Sequence, residues 1–122
     1  MTAPNWIPDP DNPSDVARAI VETKNRIAAG VRVVADAEKN AKKLRRASDL
    51  AHAYAMKNTE GPEYIRKSEA VIASMPHRAE AEDAELAARY AERQSEALSK
   101  ELFAWQSILK HLTSVYEAAG VR

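Results

Sequence analysis

The chain has no cysteine, only three glycines, a single phenylalanine and no net charge, with 18 Lys and Arg against 18 Asp and Glu. Without cysteine it has no disulfide framework, no thiolate zinc site and no cysteine nucleophile. Three glycines cannot supply a P-loop or a dinucleotide-binding loop. The charge balance removes the simple argument for a polyanionic partner, although a neutral total can conceal local patches. No run approaches the eighteen or so apolar residues of a membrane span. The start, Met1-Thr-Ala-Pro-Asn-Trp6, lacks both the basic and the apolar region of a secretion signal. A cytoplasmic protein with no membrane partner is expected. β-Branched residues cluster only at Val31–Val34, inside a helical pattern, so strands are not expected either.

What the chain does have is alanine and helical spacing. At 122 residues it is one domain's worth of protein. Of its residues 45% are hydrophobic, but many are alanine, so each buried position contributes little apolar area. Three of the six prolines are Pro8, Pro10 and Pro13, which mark residues 1–13 as an extended arm with Trp6 and Ile7 as its adhesive point. Residues 14–122 then form a single all-α domain, with Ser14 as N-cap and Asp15 in the first helical turn.

Between Val16 and Ala55, steps of three and four residues meet Val16, Ile20, Thr23, Ile27, Gly30, Val34, Ala37, Ala41, Leu44, Ser48, Ala51 and Ala55. This 3.5-residue repeat predicts a helix over about 14–58 packed along one seam, with Gly30 as the point where it would bend or split. Gly61 and Pro62 end it. A short helix is expected over 63–75, closed by the Met75-Pro76 pair. A second long helix over 78–118 carries Ala84, Ala88, Ala91, Ser95, Leu98, Leu102, Trp105, Leu109, Leu112 and Tyr116 at the same spacing. Tyr90, Ala97, Ala104, Ile108 and Val115 give its C-terminal part a second apolar face. A two-helix hairpin cannot cover that face, so the short helix, the arm or another subunit must. The expectation is a hairpin of two long helices with a short helix between them, assembled into a homo-oligomer through Leu98, Leu102, Trp105, Ile108, Leu109, Leu112 and Tyr116.

The charges are distributed unevenly. Residues 38–67 hold eight basic and four acidic side chains, whereas residues 68–122 hold six and nine. Lys39, Lys42, Lys43 and Arg46 share one helix face, with Arg45 beside them. Like charges on one face repel unless an anion neutralises them, and a row of phosphates is an extended anion. Arg66 and Lys67 form a smaller cluster, and Tyr54 and Tyr64 offer flat surfaces on which unpaired bases stack. The same stripe also fits a solvated helix face salt-bridged to Glu80, Glu82, Asp83 and Glu85.

Nothing in the sequence points to catalysis. His52, His77 and His111 are isolated, with no second ligand at the spacing that directs two side chains to one metal. Serine occurs without the glycines of a nucleophile elbow. No catalytic residue, metal or cofactor is expected, and the protein is not expected to be an enzyme.

The order of features carries a resemblance. Lys42, Lys43, Arg45 and Arg46 are followed by Ala51-His-Ala-Tyr54, by Asn58-Thr-Glu-Gly61, by Glu63-Tyr-Ile-Arg-Lys-Ser-Glu69 and by the stretch from Ala97-Leu98 through Phe103-Ala-Trp-Gln-Ser-Ile-Leu-Lys-His111. Over roughly residues 40–118 this resembles the UvsY-like recombination mediators of bacteriophages, small helical proteins. The resemblance implies a ring-like oligomer that binds single-stranded DNA and helps load a recombinase onto strands covered by single-strand binding protein, in the host cytoplasm and without catalysis or cofactor. It would assign DNA contact to the basic helix with Arg66 and Lys67, and assembly to the last helix. The proline-rich arm and the high alanine content depart from that pattern. Two alternatives use the same helices otherwise: a helical assembly or virion structural protein, and a small regulatory protein that binds another protein through its apolar C-terminal helix.

Overall fold

The structure, a computed structural model, describes residues 6–120. It contains two long helices packed together, α1 (Pro13–Asn58) and α2 (Glu63–Ala118), and no strand among the described residues. They contribute to two compact units. One comprises the described residues through Val31 with those from Gln94 onward, and the other Arg32–Arg93. Residues 1–5 of the expected arm lie outside the described residues.

α1 starts one residue earlier than expected, at Pro13, because Asn12 rather than Ser14 caps it. The Asn12 side-chain oxygen accepts the Ser14 N–H at 3.0 Å, and its backbone carbonyl accepts the Val16 N–H at 3.0 Å. Pro13, which has no N–H to satisfy, occupies the first helical position. Asp15 accepts the Asp9 N–H at 3.0 Å, which ties the arm to the first turn of the helix. The helix does not split at Gly30.

A four-residue connection, Thr59 to Pro62, separates the helices. Gly61 adopts a φ of 114°, a left-handed conformation that side chains with a Cβ rarely take. The Pro62 carbonyl then accepts the N–H groups of Ile65 and Arg66 at 3.1 Å each and opens α2.

α2 corrects one expectation. The separate helix over 63–75 and the break at Met75-Pro76 are not formed, and the helix is continuous through Pro76. A proline removes the N–H that would bond the carbonyl four residues back and crowds that carbonyl. Here Pro76 and Ile72 are both exposed, so water can serve the freed Ile72 carbonyl. Ala70 and Ser74 before the proline and Ala81 and Ala84 after it are all buried. That continuous seam offsets a helix-propensity penalty of about 3 kcal/mol.

Within Arg32–Arg93 the core is built from small side chains. Ala41 packs with Ala84 and Ala88, flanked by Ala37 and Leu44. Ser48 and Ala91 are buried along the same line. In the other unit Val16, Ala19, Ile20 and Thr23 are buried on α1, while Ser95, Leu98, Leu102, Trp105, Ile108, Leu109 and Leu112 are half-buried on α2. Of the residues expected to hold an oligomer together, all but the exposed Tyr116 are half-buried within the chain itself.

Pro76→Ala should restore one helical hydrogen bond and raise stability by about 1–3 kcal/mol in urea unfolding followed by circular dichroism. Unchanged stability would mean that the proline sits at a true break. Gly30→Ala, where an added Cβ meets nothing within 4 Å, should add about 0.5–1 kcal/mol.

Candidate nucleic-acid interface

The basic residues predicted from sequence fall into distinct structural groups. Lys39, Lys43 and Arg46 are exposed on the outer side of α1, opposite the Ala37–Ala41–Leu44–Ser48 seam, and form no ion pair among the described residues. Lys42 is also exposed and unpaired but lies toward the helix pair, where it borders a surface depression shared with Glu38, Glu85, Arg89 and Glu92. Its surroundings are of mixed charge, and Arg46 reaches a neighbouring depression that it shares with Lys42, Arg45 and Glu85.

Arg45 behaves differently. Its Nη2 and Nε donate to Glu85 Oε1 at 2.7 and 2.9 Å, bridging α1 to α2 beside Ala41. The hydrogen bond to Glu85 holds its pKa above the usual arginine value, so the cation persists at every accessible pH. Being engaged in the helix pair, it is not a free phosphate ligand.

Arg66 and Lys67 are likewise occupied. Arg66 Nε donates to the Met56 carbonyl at 3.0 Å, satisfying an acceptor that the end of α1 leaves open. Lys67 pairs with Glu63 one turn away at 3.2 Å, an exposed contact that contributes under about 1 kcal/mol. The second cluster read from sequence is thus mainly connection-closing structure.

Two residues outside the cluster read from the sequence extend the α1 face. Leu50 and Lys57 continue the Lys39, Lys43, Arg46 row at helical spacing, and Leu50 is 70% exposed. Tyr54, one turn beyond Leu50, is 73% exposed. The signal was the same three-and-four spacing, followed past the last cation of the cluster. From Lys39 to Lys57 the row spans about 27 Å at 1.5 Å per residue. Asp49 is the only carboxylate in that stretch, and it is close enough to Arg45 to contribute to its raised pKa. Tyr64 is exposed on α2, where Val71, Ile72 and Met75 continue an apolar surface.

Among the described residues no group of three His, Asp or Glu side chains is placed to hold a metal ion, and no helix is long and apolar enough to cross a membrane. No family model, curated protein or solved structure matches the chain. The geometry of the α1 face therefore stands on its own as the basis for a functional reading.

The division between structural and free cations is testable. Arg45→Gln and Glu85→Gln should each lower the thermal midpoint, because each leaves a half-buried partner without its bridge. Lys43→Gln should change stability by no more than about 0.5 kcal/mol, as expected for an exposed, unpaired side chain. Equal effects of the three changes would place Arg45 among the solvated cations.

Proposed function

We propose that the protein is a non-enzymatic single-stranded-DNA-binding protein whose contact surface is the outer face of α1 between Lys39 and Lys57. The observation that supports this reading is the row of exposed cations, Lys39, Lys43, Arg46 and Lys57, without carboxylate partners and interrupted by the exposed Leu50 and Tyr54. A solvated face that served only solubility would pair its cations with neighbouring acids, as Arg18–Glu22 and Arg32–Asp36 do earlier on the same helix. Phosphates relieve the mutual repulsion, and the apolar and aromatic interruption receives unpaired bases, which a duplex keeps stacked inside. The bases are read by stacking, so binding has little sequence preference.

The resemblance to UvsY-like mediators extends the proposal to a role in recombination. The bound strand is prepared for a recombinase in competition with single-strand binding protein, and copies of the chain act together as a homo-oligomer. A second reading is supported by a separate observation: Tyr64, Val71, Ile72 and Met75 leave an exposed apolar surface on α2. A helical assembly or virion component, or a regulatory protein, would use that surface for protein contact.

Fluorescence anisotropy with labelled single- and double-stranded DNA separates the two readings. Single-strand affinity should fall steeply between 50 and 200 mM salt, whereas an apolar protein contact is nearly indifferent to salt. Reversing Lys43 and Arg46 to Glu should weaken binding across all sequences and reduce the slope of log affinity against log salt by about 1.4, at roughly 0.7 per phosphate lost. Tyr54→Ala should cost about 1–3 kcal/mol of affinity with the slope intact. Absence of single-strand binding at low salt would return the face to solvent and leave the protein-contact reading.

A further inference from the structure

The unit containing the arm holds a slot that plays no part in the α1 face. Trp6 and Pro8 of the arm, Trp105 of α2, the buried Ala19 and Thr23, and the charged Glu22, Arg26 and Glu101 line it, and it is a half-open cleft of about 450 Å³. The arm is held there by local chemistry. The Arg18 guanidinium lies 4.0 Å from the centre of the Trp6 ring, and its Nε reaches Glu22 Oε1 at 3.2 Å. The Thr23 hydroxyl is satisfied by the Ala19 carbonyl at 2.7 Å. Arg26 Nη1 and Glu101 Oε2 stand 3.5 Å apart, with side chains 62% and 42% exposed. So long and wet a pair is weak, and its donors and acceptor remain available to a ligand.

The lining restricts what the slot accepts. An anion would meet the Glu22 and Glu101 carboxylates, and a cation would meet the Arg26 guanidinium. A wholly apolar group would cover the Arg26–Glu101 pair and offer neither charge a partner. A neutral, flat group with an acceptor beside a donor on its edge satisfies lining and border alike: one face stacks on an indole, its acceptor takes an Arg26 N–H and its donor reaches Glu101. Nucleobases carry such edges. The volume lies within the ordinary range of small-molecule sites, about 300–1,000 Å³.

We infer that this slot receives one unpaired nucleobase, stacked on Trp6 or Trp105, with its polar edge on Arg26 and Glu101. The inference rests on the reading of the protein as a single-strand binder and adds a second contact to it.

Trp6 and Trp105 are the only tryptophans in the chain, so intrinsic emission reports directly on the slot. Titrating the full chain with an unlabelled mixed-sequence single strand should quench that emission along the same curve as the anisotropy of a labelled copy. Trp105→Ala should weaken binding by about 5- to 150-fold, the fold-change that corresponds to about 1–3 kcal/mol for one stacked base, with the salt slope unchanged. Trp105→Phe, which keeps a flat ring, should recover most of that loss, and Trp6→Ala tests the arm's contribution to the slot without altering either helix. Binding by anisotropy with unchanged emission, or wild-type affinity in both alanine variants, would overturn the slot and leave the α1 face standing. Loss of binding in the Lys43 and Arg46 reversals with no quenching at any salt in the wild type would have the same meaning. No single-strand binding by anisotropy at low salt would overturn both. Quenching by an aromatic peptide but not by DNA would make the slot a protein site and overturn its assignment to a base.

Discussion

The close approach of α1 and α2 through small side chains is the constraint on which the Arg32–Arg93 unit depends. Ala41, Ser48, Ala70, Ser74, Ala81, Ala84, Ala88 and Ala91 are its buried residues, and none is larger than serine or alanine. Such side chains bury little area each, so the unit relies on uninterrupted continuity rather than on a few large anchors. That explains why α2 runs through Pro76: breaking the helix would forfeit the seam on one side of the proline, a larger loss than one hydrogen bond on the exposed side. It also explains why Arg45 and Glu85 meet. With mostly alanine and serine buried between the helices, a long side chain at the edge of the seam reaches across to its opposite number.

The same proximity sorts the charges. Cations beside the seam are drawn into pairs or end caps, as Arg45 and Arg66 are. Cations on the far side of α1 have no helix to answer them and stay exposed. Neutral overall composition and a local excess of uncompensated charge are therefore compatible, because the acids that balance the total are concentrated after residue 68. The proposed single-strand contact would follow this face along the helix axis.

The other unit solves a different problem. Its residues are larger, and α2 is apolar on more than one side there. The arm lies on part of that excess: Pro10 and Asp11 border a depression with Ile108, His111 and Leu112, while Trp6 and Pro8 stand near Trp105. A proline-rich segment is suited to this role because its restricted backbone loses little entropy on docking. Ala97, Ala104 and Val115 of this unit remain exposed on the second face of α2.

Much of this was legible in the sequence. The three-and-four spacing from Val16 to Ala55 named the inner side of α1 residue by residue, since every one of those positions is buried or half-buried. It did so because periodicity is a local property, fixed by 3.6 residues per turn wherever the helix runs. The all-helical class, the turn at Gly61-Pro62 and the basic face of α1 followed from the same local rules. Tertiary structure decided what local rules cannot express. Whether Pro76 ended a helix depended on the buried residues either side of it. Whether Arg45 was a free cation depended on Glu85, forty positions away. Whether Trp105 came to border the arm depended on where Trp6 and Pro8 came to rest. In each case the outcome was set by a partner distant in sequence, and spacing along one chain segment carries no information about what stands across from it.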